Sequence, residues 1–241
     1  IFMIKLSAIL TMVGVILNSP GNPTGAVYGE SQARELGAAL AETGMWVISD
    51  DIYEDLVYGM PSAPSVLAST PELWSRGAFV TGVSKTYSMT GWRIGYAMAN
   101  PEWIRLASTV QAHTTSNPTS ISQWAALAVV EGGAEEERRT MQKAFEARRS
   151  LALDLIEPID ELEPVNPAGA FYIFARVTRH PLAERTAEFC EALLEEEGLA
   201  IIPGSAFGAE GYIRLSFAAS EGTIRKGIDK LGNFIRRGRK L

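Results

Sequence analysis

The 241-residue sequence has few of the residues that build disulfides and metal sites, with one cysteine and two histidines. A single cysteine permits no internal disulfide, which favours a reducing compartment such as the cytoplasm. Cys190 stands close to Phe189 and Leu193 in a helical-looking stretch, so we predict a buried structural thiol. No metal site is predicted.

The sequence also lacks a block of basic residues, and its net charge is −6. An acidic balance without a basic patch argues against nucleic acid as a partner.

One long apolar run is present, over residues 1–17. Lys5 cuts it below the length that spans a membrane, and it has neither a basic start nor a cleavage site, so no signal peptide, anchor or membrane partner is expected. We predict instead that Val13–Leu17 is a buried strand of a parallel sheet. The chain begins with Ile rather than Met, which suggests a fragment.

Strands and helices alternate in the first part of the chain, which predicts an α/β layer with a mostly parallel sheet and flanking helices. The predicted strands are Val13–Leu17, Met45–Ser49, Ala78–Val83 and Arg93–Ala99. The predicted helices are 30–43, Pro101–His113, Ser120–Val130 and Ala134–Ile156. A smaller α+β unit follows, with strands Ala170–Val177, Leu199–Ile202 and Tyr212–Phe217 and helices Leu182–Glu197 and Glu221–Arg237. The expected domains are residues 1–140 and 141–241.

The stretch GVSKTYSMTGWRIG, residues 82–95, is the first that carries chemistry. Lys85 is predicted to stand at the end of a strand among small residues, where backbone can approach a bulky ligand. Arg93 follows eight residues later and offers a forked cation suited to a phosphate. The alternative is that Lys85 is a surface residue of a loop with no role in ligand binding.

Two further motifs follow predicted strands directly. NSPGNPTG, residues 18–25, makes a rigid turn at a strand's carboxyl end, where open α/β sheets bind ligands. SDDIYED, residues 49–55, can present Asp50 and Tyr53 to the same crevice. Asp51 is the competing carboxylate, but a shift of one residue turns it to the opposite face of the strand.

A fourth motif, GYIRLSFA at residues 211–218, places Arg214 in mid-strand among apolar neighbours. An arginine there needs an anionic partner, because an unpaired buried charge is very costly. The alternative is an outward-facing arginine on an alternating strand.

Together these motifs resemble class I/II aminotransferases of fold type I, from about Val13 to the end of the chain, and TTSNPTSISQWAAL (114–127) is similar to the bacterial aspartate aminotransferase branch. The resemblance implies pyridoxal 5′-phosphate as cofactor, bound covalently by Lys85, which also acts as the catalytic proton carrier. The other implied cofactor ligands are Asn22 and Tyr53 at the phenolic oxygen, Asp50 at the ring nitrogen and Arg93 at the phosphate. Asn22 and Arg214 are implied for the substrate carboxylate, with Phe171 beside the pocket or, equally, in the core.

The resemblance further implies a cis Asn22–Pro23 bond, a homodimer, and small-molecule amino acid and 2-oxo acid substrates. Complete family members have a long amino-terminal portion ahead of NSPGNPTG that carries more of the phosphate site. We therefore expect a four-strand remnant of the sheet with bare edges, weak cofactor retention and little turnover. Two alternatives stay open: a β-eliminating lyase on the same scaffold, and a non-catalytic aminotransferase-like binding or regulatory module.

Overall fold

The computed structural model describes residues 12–238. Most of the apolar run at the start of the sequence lies outside the described residues. The prediction that this run is neither a signal peptide nor an anchor therefore concerns residues that the structure does not describe. Within the described part, no helix combines the length and the apolar character needed to cross a bilayer.

The chain divides into two compact units. The first unit contains the described residues up to Pro20 together with Val27–Arg138, and the second contains Gly21–Ala26 and the chain from Arg139 onward. The helices are α1 Glu30–Ala41, α2 Val66–Ser69, α3 Val83–Thr86, α4 Pro101–Thr114, α5 Ser120–Ala128, α6 Glu135–Ile156, α7 Thr186–Glu197 and α8 Glu221–Gly238.

The first unit is built on a four-stranded sheet in the order β1-β2-β3-β4. Its strands are β1 Gly14–Asn18, β2 Trp46–Asp50, β3 Gly77–Thr81 and β4 Tyr96–Ala99. The first three run parallel and β4 is antiparallel to β3, which confirms the α/β class and the mostly parallel sheet. Because β1, β2 and β3 are parallel, the residues at their carboxyl ends lie along one edge.

Helix α1 covers one face of this sheet. Its buried residues Ala33, Gly37 and Leu40 recur at helical spacing, and Ala33 and Leu40 belong to a core that includes Leu17 and Val47. Burial of this apolar stripe, rather than helix propensity alone, holds the helix in place.

The prediction that β1 is buried is wrong for one of its faces. Leu17 is buried, but Ile16 is 71% exposed. Side chains alternate along a strand, so Leu17 and Ile16 point to opposite faces of the sheet. The described residues cover the Leu17 side more fully than the Ile16 side. An apolar run is therefore no proof that both faces are covered.

The strand predicted after Lys85, Arg93–Ala99, begins later in the structure, at Tyr96. A 3-10 turn over Thr90–Trp92 precedes it, and Arg93 has left-handed backbone dihedrals, φ 51 and ψ 50. A residue with left-handed dihedrals cannot continue a strand. The apolar residues around Arg93 therefore led to a predicted strand that starts too early.

The second unit has a fully antiparallel sheet in the order β5-β6-β8-β7. Its strands are β5 Leu162–Val165, β6 Tyr172–Val177, β7 Ile202–Pro203 and β8 Tyr212–Ser216. The first of these was not predicted, and β7 starts where the predicted strand ends. Cys190 in α7 is buried as expected, and burial raises the pKa of its thiol to about 12.

Candidate active site

Polar residues gather where β1, β2 and β3 end. Asn18, the last residue of β1, donates from Nδ2 to the backbone oxygen of Asp50, the last residue of β2, over 3.0 Å. Lys85 follows the end of β3 by four residues. This is the edge of a parallel sheet at which ligands bind in open α/β folds.

The two adjacent carboxylates of SDDIYED have different surroundings. Asp51 is buried and accepts hydrogen bonds from Ser49 at 2.7 Å and Ser65 at 3.4 Å. Burial raises the pKa of the Asp51 carboxyl to about 6, although the two serine hydroxyls oppose the shift. Asp50 is half-buried, and its Oδ1 accepts the backbone N–H of Ile52 at 3.3 Å. Asp50 is therefore the more accessible carboxylate, and its assignment to a cofactor stays a prediction.

Lys85 and Tyr53 lie side by side. The Lys85 amine is 5.9 Å from the centre of the Tyr53 ring, Tyr53 is buried and Lys85 is half-buried. Lys85 belongs to α3, a single helical turn, rather than to an extended loop. The chain enters this turn through Gly82, where a Cβ would lie 2.8 Å from the Cα of Gly95. A side chain there would push the two backbones apart, which explains why the position is a glycine.

Arg93 has an open setting. Its side chain is exposed, and its Nη1 donates to the backbone oxygen of Thr90 over 3.1 Å. The predicted phosphate ligand is thus a surface cation anchored to its own turn.

The remaining predicted residues belong to the second unit. Arg214 donates from Nη1 to Oδ1 of Asn22 over 2.7 Å. Its guanidinium carbon lies 4.4 Å from the ring centre of Tyr172 and 5.0 Å from that of Phe207. Arg214 is half-buried, so the expectation of a cation deep among apolar neighbours is only partly met. Its contacts here are a neutral amide oxygen and two ring faces, which leave a carboxylate as the natural additional partner for the fork.

The loop that carries Asn22 is fixed by its backbone. The predicted cis bond at Asn22–Pro23 is confirmed, and a second cis bond joins Ser19 to Pro20. The backbone oxygen of Gly25 accepts from the N–H groups of Ala168 and Gly169, both over 2.9 Å.

Some residues of the site were not predicted. Asn18 stands inside a quoted motif and Tyr172 inside a predicted strand, but neither was given a role. Phe207 lies in a 3-10 turn that no local pattern marks. Phe171, left open between pocket and core, stacks on Phe145 with ring centres 5.7 Å apart. That contact favours a packing role.

Comparison with known proteins identifies relatives of this arrangement. The family model described as aminotransferase class I and II matches residues 5–231. The aspartate aminotransferase of Geobacillus stearothermophilus is 41% identical over 224 residues, which cover 92% of this chain and 57% of the relative. The asparagine–oxo-acid transaminase of Streptococcus mutans is 36% identical over 224 residues with the same coverage.

Solved structures agree with these relatives. The aspartate aminotransferase from Rhizobium meliloti superposes with a TM-score of 0.85 at 37% identity, covering 93% of this chain and 58% of that one. The aromatic aminotransferase from Pyrococcus horikoshii gives a TM-score of 0.86 at 32% identity, covering 95% and 61%. The chain thus spans less than two thirds of the length of the relatives it matches.

Proposed function

Because the chain belongs to the family of class I and II aminotransferases, we propose that it supplies the catalytic lysine and the substrate-binding arginine of an enzyme that transfers an amino group between an amino acid and a 2-oxo acid. The proposed cofactor is pyridoxal 5′-phosphate. The observation that carries the proposal is the Lys85 amine 5.9 Å from the Tyr53 ring, at the carboxyl edge of the parallel strands.

The described residues fit this cofactor by the chemistry of their functional groups. The first unit offers a primary amine on Lys85, a carboxylate on Asp50, a phenol on Tyr53 and a guanidinium on Arg93. These match an aldehyde, a basic ring nitrogen, a phenolic oxygen and a phosphate in turn. Pyridoxal phosphate, when bound, supplies an aromatic ring that accepts electrons from the carbon to which the amino group is attached.

Each group then has a defined task. Asp50 would keep a proton on the ring nitrogen, because a carboxylate favours a nearby positive charge. Tyr53 and Asn22 would donate hydrogen bonds to the phenolic oxygen, and Arg93 would pair with the phosphate. The Lys85 amine would hold the aldehyde carbon and, once released, would take and return the proton at the substrate Cα.

Arg214 and Asn22 would bind the substrate. The guanidinium is held by the amide oxygen of Asn22 and by the faces of Tyr172 and Phe207, so little side-chain entropy remains to be lost when a carboxylate docks. This would orient the amino acid before its Cα–H bond is broken.

Aspartate is the proposed amino donor, since three of the relatives named above are aspartate or asparagine transaminases. We further propose a homodimer, a cytoplasmic location, and a division into a cofactor-binding domain over residues 1–140 and a small domain over 141–241.

The test combines the 241-residue chain with excess pyridoxal phosphate and follows visible absorbance. We expect a band that is absent in Lys85→Ala and present in the control Lys143→Ala, whose lysine is exposed on α6. Adding aspartate should change the band, and 2-oxoglutarate should restore it with formation of glutamate. Absence of the band in the wild-type chain would contradict the proposal.

Product analysis separates the alternatives. Pyruvate with ammonia or sulfide would indicate a β-eliminating lyase, and a band that no amino acid changes would indicate a non-catalytic binding module. Equal rates for alanine, aspartate and phenylalanine would remove the case for aspartate.

A further inference from the structure

The hydroxyl group of Thr81 links the segment that carries Tyr53 to the strand that leads to Lys85. Thr81 is the last residue of β3 and is 3% exposed. Its Oγ1 lies 3.3 Å from the backbone oxygen of Asp51 and 2.9 Å from Oε1 of Glu54.

The Thr81 hydroxyl has one proton to donate and two acceptors within reach, the Asp51 carbonyl and the Glu54 carboxylate. A threonine hydroxyl donates one hydrogen bond at a time, but it can accept from other donors. An ionised Glu54 carboxylate only accepts, so the Thr81 proton then turns toward Glu54. A protonated Glu54 donates to Thr81, and the Thr81 proton is then available to the Asp51 carbonyl.

Backbone hydrogen bonds connect the Thr81 hydroxyl to the surroundings of Tyr53 and Lys85. The Asp51 carbonyl also accepts the N–H of Glu54 over 2.9 Å, and the Asp51 N–H donates to the carbonyl of Val80 over 2.9 Å. Tyr53 lies inside the turn closed by the Asp51–Glu54 bond. Lys85 stands four residues beyond Thr81, past the tightly packed Gly82. The Thr81 hydroxyl thus lies between the turn that contains Tyr53 and the strand end that leads to Lys85.

Glu54 is placed to change its protonation near neutral pH. Burial raises the pKa of its carboxyl to about 7, with Asp55 and Asp51 adding to the shift and the Thr81 hydroxyl opposing it. Other titratable groups face this cluster from neighbouring elements. They are Tyr87 after α3, Tyr96 on β4, and Arg138 and Glu135 on α6, of which the last two act through Asp55.

We propose that Thr81 and Glu54 are positioning residues that couple the Tyr53 segment to the Lys85 turn through the orientation of the Thr81 hydroxyl. When Glu54 loses its proton to solvent, the Thr81 hydroxyl leaves the Asp51 carbonyl for the carboxylate, and the Asp51–Glu54 turn relaxes. The role of this coupling in catalysis rests on the proposed function. The coupling itself is a property of the chain without cofactor.

The test is a pH titration of the cofactor-free 241-residue chain by NMR. The Glu54 carboxyl carbon is assigned by its absence in Glu54→Gln, and the ring signals of Tyr53 and the side-chain CH₂ signals of Lys85 are followed in parallel. We expect one shared midpoint near 7 in the wild-type chain. Glu54→Gln should remove the step near 7 from the Tyr53 and Lys85 signals and leave only the change near pH 6 that Asp51 causes.

Variants at Thr81 separate positioning from simple packing. Thr81→Val keeps the shape and removes the hydroxyl, so the Glu54 midpoint should rise and the Tyr53 and Lys85 signals should stop following it. Thr81→Ser restores the hydroxyl and should restore the shared midpoint. Asp51→Asn should leave this step in place, which shows that the neighbouring carboxyl is not its source.

Three results would overturn the proposal: a Glu54 titration that the Tyr53 and Lys85 signals ignore, a shared step that survives in Thr81→Val or Glu54→Gln, and no step at all. If Thr81→Val does not fold, Thr81→Ser and Glu54→Gln still decide. The outcome is independent of whether pyridoxal phosphate reacts with Lys85, so failure of the coupling and failure of the proposed function are separate results.

Discussion

Arg214 and Asn22 are 192 positions apart in the sequence, yet Nη1 of the arginine donates to Oδ1 of the asparagine over 2.7 Å. The contact joins the centre of β8 to the NSPGNPTG loop, whose shape is fixed by the hydrogen bonds of Gly25. Both members of the proposed substrate-binding pair are therefore oriented within one compact unit.

Replacement of Arg214 by lysine should weaken amino acid binding while the fold persists. Lysine keeps the charge but loses the planar fork and its stacking on Tyr172, so we expect affinity to fall by about 10- to 100-fold. The measurement is the aspartate concentration that half-converts the visible band of the cofactor-loaded chain. Arg176→Lys, an exposed arginine on the adjacent β6, is the matched control and should leave that concentration unchanged. Equal effects from both variants would contradict the assignment.

Cofactor retention by the 241-residue chain should be weak. Arg93 is exposed, and an exposed ion pair contributes about 1 kcal/mol or less, with further loss in salt. Dialysis of the loaded chain should therefore remove most of the pyridoxal phosphate. Borohydride reduction before dialysis should make the attachment permanent in the wild-type chain but not in Lys85→Ala. Stoichiometric retention without reduction would show that other contacts hold the phosphate.

Asp51 should make the fold less stable as pH rises. Its folded pKa of about 6 lies above the usual 3.8, so the folded state binds the proton more tightly and its stability falls between about pH 4 and pH 6. Asp51→Asn keeps an acceptor for Ser49 and removes the titration. Relative to wild type, the variant should gain about 1 to 2 kcal/mol in free energy of unfolding across this window, less than the full two-unit shift because relaxation screens part of it. Urea unfolding at several pH values checks this, and parallel curves for the two proteins would refute it.

Gly37 should not tolerate a methyl group even though it lies in a helix. Alanine normally stabilises a helix interior by about 1 kcal/mol relative to glycine. A Cβ at Gly37, however, would lie 1.9 Å from Oγ1 of Thr70, so we expect Gly37→Ala to destabilise the chain by about 1 to 3 kcal/mol in urea unfolding. The control is Gly227→Ala in α8, where the nearest atom is 3.5 Å away and the substitution should be neutral or stabilising. Adding Thr70→Ala should rescue the Gly37 variant in part, because the Cβ of residue 70, 2.9 Å from the new methyl group, remains. A clash elsewhere would leave the variant unrescued.

The sequence predicts well whatever depends on local pattern. Apolar strands followed by polar residues placed the start of NSPGNPTG, Asp50 and Lys85 near the carboxyl ends of parallel strands, because a strand's carboxyl end can be recognised from its own residues. The alternation of side chains along a strand also separated Asp50 from Asp51 in the expected sense: Asp51 is buried and Asp50 is half-buried.

Features that depend on distant residues were not predictable. The short helix at Lys85 follows a backbone contact between Gly82 and Gly95, and the surroundings of Arg214 depend on Phe207 in a separate turn. The exposure of Ile16 depends on what covers the second face of the sheet, which the residues of β1 do not encode. The hydroxyl of Thr81 meets Glu54 across 27 positions, and no local motif marks that pairing.

The assignment of Gly21–Ala26 to the second unit has a consequence for how the chain can be divided. The segment is flanked on both sides by residues of the first unit, so the chain passes between the units at Pro20–Gly21, Ala26–Val27 and Arg138–Arg139. A protease nick at the last junction would leave six residues of the second unit attached to the first fragment. If the carboxyl-terminal fragment separated, it would lack the Gly25 carbonyl, and the N–H groups of Ala168 and Gly169 would lose their acceptor. The two nicked pieces should therefore remain together without a covalent bond, and neither should be a faithful copy of the unit it came from.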